Sequence, residues 1–203
     1  MTIRRGETWG EQAQSPDLLR VMPTDRDARE FVVALLSTDR TLQPMGLGGG
    51  DMARTLGGGT PGRFPGMVTK APLDLLRVTA GDRTTWAVSH VIGRRSWWRG
   101  DVVFAMNAQF LGPYDVAPRS HPNDGKVDVV HVQPAMGVRA RAQARSRART
   151  GTHLPHPQLA FTQAPRWTAT FEQPLVWWVD GVRWGASATI EVEVVPDAMV
   201  VYA

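Results

Sequence analysis

The feature that most constrains this chain is a two-residue alternation of apolar and polar side chains that begins at about residue 66. Short apolar segments such as LVWWV and TIEVEVV follow one another, and glycine, proline and other turn residues separate them. Regularly spaced short strands of this kind are typical of an antiparallel sandwich or barrel. We therefore predict a mostly-β domain over residues 61–203, interrupted by one arginine-rich helix.

The first part of the chain has a different pattern. DLLRVM (17–22) and LQPMGLG read as short strands, and the segment between them reads as a helix with Thr24 as its N-cap. An apolar stripe at helical spacing supports this helix: Ala28, Phe31, Val32, Leu35 and Leu36. A glycine loop and a second short helix follow. One such unit is less than a Rossmann-like domain needs, so we predict that residues 1–60 form a truncated α/β remnant and that the fold class is α+β, mostly β.

Composition excludes several kinds of protein. The chain has no cysteine, so disulfides and thiol nucleophiles are excluded, and a reducing, cytoplasmic setting is expected. No apolar run is long enough to span a membrane, and the N-terminal MTIRRGETWGE lacks the apolar segment of a secretion signal. Of the five histidines only those in HLPHP are close together, and the prolines there do not fit a metal-binding helix face, so zinc is not expected.

The positive charge of the chain comes almost entirely from arginine. The helix in AMGVRARAQARSRARTG places Arg141, Arg145 and Arg149 on one face by their i, i+4 spacing. One interpretation is a solvated surface helix. The other is contact with anionic lipid headgroups and a membrane-peripheral location. Nucleic acid is not expected as a partner, because no recognised nucleic-acid motif accompanies the arginines.

Two turn segments are candidate ligand sites. GLGGGD precedes a helix, so its amides could hold a phosphate, although a flexible connector fits the same letters. HPNDGKVDVV (121–130) reads as a β-turn into a strand. The alternative for this second segment is a turn that holds a hard cation through one carboxylate and nearby carbonyls.

The segment NAQFLGPYDVAPRSHPNDGKVDVVHV (107–132) resembles the bacterial diacylglycerol kinases and sphingosine kinase-like lipid kinases. The matching positions are Asn107, Gly112, Ala117, Pro118, Asp124, Gly125, Asp128 and Val129. GTHLPHPQLAFTQA, VDGVRWG, VPDAMVV and, upstream, GGGDMARTLG also resemble segments of this family. The resemblance implies a lipid-kinase C-terminal β-sandwich with part of a nucleotide-binding domain before it.

The resemblance also implies where nucleotide phosphates would bind. The family's G-G-D-G-T-x-N-E motif falls on PTDRDARE, where Asp25 and Glu30 keep the acidic positions. The remnant of the phosphate loop is then Gly48, Gly49, Gly50 and Asp51. Pro23, Thr24 and Arg26 replace the family's glycines, and their side chains obstruct the approach of backbone donors to phosphates. ATP is therefore not expected to bind.

Two further site positions follow from the resemblance. The family's D-G-E turn carries its general base, and the corresponding position here is Val182, which cannot accept a proton. We therefore assign no catalytic residue. The family's structural magnesium site maps onto the Asp124 side chain and the carbonyls of His121 and Lys126.

These observations lead to one function hypothesis and two alternatives. The first is a catalytically degenerate relative of the lipid kinases, a pseudoenzyme that binds a lipid or a protein partner. The second is an active ATP-dependent lipid kinase that is completed by another subunit or by a separately encoded nucleotide domain. The third is an assembly module that forms a dimer or larger homo-oligomer, since an exposed sheet edge invites pairing with a second copy.

Overall fold

The computed structural model describes residues 9–59 and 62–203, so residues 1–8, which include most of the segment tested for a secretion signal, lie outside the described residues. The strands are β1 (Glu11–Gln14), β2 (Val21–Met22), β3 (Met45–Leu47), β4 (Met67–Ala80), β5 (Arg83–Ala87), β6 (His90–Arg94), β7 (Val102–Met106), β8 (Phe110–Leu111), β9 (Tyr114–Asp115), β10 (Val127–Val132), β11 (Leu159–Ala164), β12 (Arg166–Val179) and β13 (Val182–Tyr202). The helices are α1 (Asp25–Leu36), α2 (Gly50–Thr55) and α3 (Val138–Arg147), and a 3₁₀ helix follows at Ala148–Thr150.

One large sheet contains every strand except β8 and β9, which form a hairpin of their own. Eight of its strands run in the order β1, β4, β13, β12, β6, β7, β10, β11, while β2, β3 and β5 pair beside this path, and nearly all neighbours are antiparallel. The sheet folds over a core to which strands β4 to β7, β10, β12 and β13 all contribute, with Trp177 fully buried within it. The prediction of a mostly-β, sandwich-like fold is confirmed.

The N-terminal elements attach to this same sheet. Strand β1 pairs antiparallel with β4, while β3 pairs in parallel with both β2 and the end of β13. Thr24 caps α1 as expected, because its hydroxyl accepts the amide of Asp27. The predicted strand at residues 17–22 is wrong in extent, since only its last two residues pair and Leu18 is 98% exposed.

Strands β12 and β13 are longer than the sequence predicts. Segments expected as separate short strands form two continuous strands, and the expected breaks are irregularities in the pairing between Thr170 and Leu175 and between Val195 and Met199. Pro174 and Pro196 are tolerated there, because residues within such an irregularity are left out of the hydrogen-bonded ladder. The turn between the two strands is Asp180-Gly181, with φ of 44° and 79°, as the predicted type I′ turn requires.

Among the described residues, no helix has both the length and the apolar character that crossing a bilayer requires.

Candidate functional site

A polar cleft of about 500 Å³ lies where helices α1 and α2 begin, beside the turn between β12 and β13. The residues that line the polar cleft are Thr24, Asp25, Arg26, Gly50, Asp51, His90, Ile92, Arg94, Trp97, Leu111, Trp178, Asp180 and Gly181. Parts of the chain that are far apart in sequence therefore contribute three carboxylates, one imidazole and two guanidinium groups to one cleft.

Asp180 is held by the backbone beside it. Its carboxylate is 3% exposed and accepts the amides of Val88, Ser89 and His90 at 2.7–2.9 Å. Its own amide donates to the His90 carbonyl. Burial raises the pKa of Asp180 to about 6, against the lowering effect of His90 and of the backbone amides. The Asp180-Gly181 turn thus binds the backbone at the start of β6 through the Asp180 carboxylate. This role does not depend on Val182, the residue after the glycine.

Asp25 occupies the N-terminus of α2. Its two carboxylate oxygens accept the amides of Asp51 and Met52 at 2.6 and 3.1 Å. Gly50 has a φ of 96°, and a Cβ built there would come within 2.6 Å of the Asp25 carboxylate. Burial raises the pKa of Asp25. These two amides are therefore occupied by a protein carboxylate, which counts against the interpretation in which they hold a phosphate.

The other predicted phosphate-loop positions have local partners. Gly48 donates its amide to Met22, Gly49 is the N-cap of α2, and Glu30 is an exposed partner of Arg26 at 2.9 Å. Gly48, Gly49 and Glu30 are not among the residues that line the polar cleft. The structure brings Asp25, Gly50 and Asp51 together and leaves these three outside.

His90 is a residue of the polar cleft that the sequence analysis did not select. Its side chain is 6% exposed, and its Nε2 lies 3.4 Å from Oδ2 of Asp51. Burial alone would lower the pKa of His90, but the Asp51 hydrogen bond and the charges of Asp180, Asp51 and Asp25 raise it overall. Oδ1 of Asp51 accepts the amide of Gly112 at 2.8 Å. His90 follows Ser89 and precedes the apolar pair Val91-Ile92, and these residues match no recognisable motif. The sequence therefore contained no signal for His90.

A second cavity, the apolar chamber, has a volume of about 420 Å³ and adjoins the polar cleft. It lies between α3 and the outer face of β6, β7 and β10, and Ile92, Trp97 and Leu111 line both cavities. Alternate residues of a strand point to opposite faces, so β7 and β10 send one set of side chains into the sandwich core and the other into this chamber. The chamber-facing residues of these two strands are Val102, Phe104, Val130 and Val132.

The three arginines predicted to share one exposed helix face have different environments, and Arg149 lies in the 3₁₀ helix after α3. Arg141 is 5% exposed and donates to the carbonyls of Met136, Gly100, Gln133 and Trp97, so its placement on an exposed face is corrected. Arg145 and Arg149 are exposed, as expected. Arg145 donates to the Tyr114 hydroxyl at 2.7 Å, and both guanidinium groups lie over the Tyr114 ring at the chamber wall.

The predicted cation turn is organised by a buried acid, Asp74, which the sequence analysis missed. The Asp74 carboxylate accepts the Asn123 side-chain amide and the amides of Gly125 and Asp197. Within the turn, Asp124 Oδ1 accepts the amide of Lys126 at 3.0 Å, and the His121 carbonyl receives the Asp124 amide at 3.4 Å.

The nearby Asp128 bears on whether this turn suits a cation. Its Oδ2 is buried and has no hydrogen-bond partner among the described residues, although Oδ1 accepts from Gln163. Burial raises the pKa of Asp128 to about 6, and the charge of Asp124 adds to the shift. The available donors are carboxylate and carbonyl oxygens, which are the ligands that Mg²⁺ prefers, so the residues present fit such an ion.

Val182 begins β13 and pairs with Val179. It is not among the residues that line the polar cleft, although Asp180 and Gly181 are. The turn therefore faces the cleft through its aspartate and glycine.

Comparisons with known proteins agree with this architecture. The family model of the YegS C-terminal NAD kinase beta sandwich-like domain matches residues 75–203. No curated protein matches the chain. Three similar solved structures are of proteins from Bacillus anthracis str. Sterne that are described as diacylglycerol kinases.

The three structures are similar to this chain to different degrees. The first has a TM-score of 0.65 at 14% identity, over 89% of this chain and 76% of the other. The second has 0.61 at 14% identity, over 88% and 74%. The third has 0.54 at 14% identity, over 89% and 74%. At this identity the likeness establishes a shared fold.

Proposed function

The chain belongs to the family of the YegS C-terminal NAD kinase beta sandwich-like domain, and from this premise we propose that it is a non-catalytic relative of the lipid kinases that binds a lipid. The observation that carries the proposal is the apolar chamber, which adjoins a cleft lined with charged groups. Ligand sites are typically cavities of about 300–1,000 Å³ with mostly apolar walls and a few convergent polar groups. An acyl chain in the chamber would place its polar end at the cleft.

The charges around the chamber favour an anionic or polar lipid end. Arg145 and Arg149 lie against Tyr114 at the chamber wall, and Arg94 lines the cleft. Arginine binds phosphate and carboxylate groups through two parallel donors. Arg145 and Arg149, without Arg141, are therefore the proposed contacts to a lipid headgroup.

Several features support the absence of phosphoryl transfer. Thr24 and Arg26, at positions where the family resemblance places glycines, line the cleft with side chains. The amides at the start of α2 are occupied by Asp25. Val182 occupies the position of the family's general base, and its side chain cannot accept a proton. Since phosphoryl transfer depends on positioned donors and charge stabilisation, loss of both the donors and the base removes what the reaction needs.

The proposed magnesium at the Asp124 turn would be structural. The Asp124 carboxylate and the carbonyls of His121 and Lys126 would hold it, and the ion would neutralise the buried carboxylates nearby.

Lipid binding is tested by titrating the full chain with dioctanoylglycerol and following heat and tryptophan fluorescence, since Trp97 and Trp98 line the chamber. Saturable binding is expected. Ala144 lines the chamber and Ala142 is exposed on the same helix, so A144F should weaken binding at least about 10-fold, while A142F should leave it unchanged. Absence of saturable binding, or equal binding by A144F and wild type, would overturn the proposal.

Phosphoryl transfer is the second candidate, because Asp25, Asp51 and Asp180 line the cleft that adjoins the chamber. A lipid hydroxyl there would meet carboxylates. The discriminating measurement is thermal unfolding with Mg-ATP, since a ligand at 100 times its Kd adds about 2.7 kcal/mol of stability. We expect no shift and no phosphatidic acid from diacylglycerol; turnover would replace the non-catalytic part of the proposal.

A further inference from the structure

We propose that Asp25, Asp51 and His90 form a binding site for a divalent transition-metal ion of the Zn²⁺ class. Each of the three residues offers one ligand atom, and these atoms lie within 4.8 Å of one another. They come from the start of α1, from α2 and from the start of β6, so only the fold brings them together. This proposal does not depend on lipid binding.

The distance between two of the ligand atoms fits a shared ion. His90 Nε2 lies 3.4 Å from Asp51 Oδ2. That is longer than the usual N–H···O distance of about 2.9–3.0 Å. Two ligands that are each about 2.1 Å from one tetrahedral Zn²⁺ are about 3.4 Å apart, from the bond lengths and the tetrahedral angle.

The burial of His90 is a second, independent observation. The residue is 4% exposed, and its Nδ1 has no hydrogen-bond partner in the described part of the chain. The imidazole is therefore buried beside the carboxylates of Asp25, Asp51 and Asp180, and its Nε2 faces Asp51 Oδ2 at 3.4 Å. Buried charges are normally paired or coordinate a metal, and a divalent cation would offset this concentration of negative charge.

The two aspartate side chains and the backbone of His90 are held in place by groups behind them. Asp51 Oδ1 accepts the Gly112 amide, and the Asp25 oxygens accept amides of α2. The peptide of His90 is fixed by Asp180, which accepts its amide and donates to its carbonyl. Metal ligands in proteins are typically oriented by such outer hydrogen bonds, and these leave the Asp51 Oδ2 atom directed at His90.

The ligand set indicates which ions bind. Imidazole suits Zn²⁺, Fe²⁺, Ni²⁺ and Cu²⁺, whereas oxygen-only sites such as the Asp124 turn suit Mg²⁺. Three protein ligands beside an open cleft leave a coordination position for water or a ligand hydroxyl, as in zinc sites that are not closed. The histidine spacing in the sequence gave no sign of zinc, because two of the three ligands are aspartates that lie 65 and 39 residues before His90.

The test uses the full chain stripped of metal with a chelator and titrated with Co²⁺, which reports its ligands through visible d–d absorption. Saturable absorption that Zn²⁺ displaces is expected. H90Q and D51N should each weaken binding at least about 100-fold, since even loss of an outer-shell group costs about 10–100-fold. His156, which does not line the cleft, provides the control H156Q, and its affinity should equal that of wild type.

Three results would overturn the proposal. The first is that the wild-type protein shows no saturable binding of Co²⁺ or Zn²⁺. The second is that H90Q binds metal with wild-type affinity. The third is that D124N abolishes metal binding while H90Q leaves it intact. The wild-type titration does not depend on the folding of any variant. Circular dichroism checks each variant, and D51N decides if H90Q fails to fold.

Discussion

The residue Asp180 shows how a turn that resembles part of an active site acts in the fold. Its buried carboxylate accepts three consecutive amides across the sheet. Removing an acceptor that satisfies buried donors costs far more than its net contribution to folding, because the donors are left without water or protein partners.

We expect D180A to lower the free energy of unfolding by about 3–5 kcal/mol, the range for breaking a buried charged interaction. Urea denaturation measures this loss. Asp82 is exposed in the β4–β5 turn and provides a matched control, since D82A should change stability by less than about 0.5 kcal/mol. Equal effects of the two substitutions would contradict the role assigned to Asp180.

Asp128 gives a prediction about pH. Its pKa is raised from the ordinary 3.8 to about 6, mainly by burial. The folded state therefore holds this proton more tightly than the unfolded state. The resulting contribution to the free energy of unfolding is complete below pH 4 and is lost as the pH rises through 6.

D128N removes this ionisation and should stabilise the protein at pH 8 by at most about 3 kcal/mol, with the gain disappearing near pH 4. Asparagine can still accept the hydrogen bond from Gln163. Urea midpoints at pH 4, 6 and 8 measure the effect, and a gain that does not change with pH would show that charge is not its cause.

Sequence reasoning at the residue scale succeeded where the cause is local. The cap at Thr24 and the positive φ angles at Asp180-Gly181 depend on neighbouring residues, and both predictions are confirmed. Asp74 and His90 were missed because their surroundings come from distant parts of the chain; Asp74, for example, bonds Asn123 and Asp197. No local pattern marks an aspartate that is buried by such partners.

Helix α3 is held against the loop before β7 by the side chain of Arg141. The guanidinium donates to carbonyls of the loop before β7 and of the segment before α3 itself. The i, i+4 spacing correctly places Arg141 and Arg145 on one face of the helix. It does not indicate that Arg141 is buried while Arg145 is exposed.

R141A should lower the free energy of unfolding by about 2–4 kcal/mol, since hydrogen bonds to a charged group contribute about 1.5–3 kcal/mol each and are not additive. Arg139 is exposed on the same helix, so R139A should change stability by less than about 0.5 kcal/mol. Chemical denaturation of both variants decides, and similar small losses would show that Arg141 does not anchor the helix.

Strand number was harder to predict than strand type. Proline and glycine indicate an interruption, but an interruption can be a turn or a bulge. In β12 and β13 it is a shift in the pairing register, and the partner strand continues to pair on the far side of the shift.

At the scale of the whole molecule, the sandwich follows from the two-residue period, but the cavities do not. In β7 the same residue type can face either cavity or core: Val103 packs in the core, whereas Val102 lines the chamber. Only the position of α3 turns the outer face of β6, β7 and β10 into a chamber wall. Burial on both faces of β7 and β10 shows in the sequence only as nearly continuous apolar runs.

The proposed headgroup contacts predict that the protein binds anionic membranes. Sedimentation with phosphatidylglycerol-containing vesicles should show binding that weakens with salt, and phosphatidylcholine vesicles should bind much less. R145A/R149A should lose about 30-fold in affinity, since each charge contributes on the order of 1 kcal/mol. R139A/R147A removes the same charge from α3 and should lose much less affinity; equal losses would mean that only net charge matters.

Strand β13 has a consequence for the order in which this chain folds. Its residues 182–202 pair with β12, β4 and β3, and so join the strands of the sandwich to the strands beside α1 and α2. On a ribosome, residues are added from the N-terminus, so every partner of β13 emerges before it does. The sheet cannot be completed until residue 202 has left the ribosome, and the unpaired edges of β4 and β12 stay exposed until then. Folding of this domain therefore cannot finish before β13 has been synthesised, and chaperones that cover strand edges would act on it during that interval.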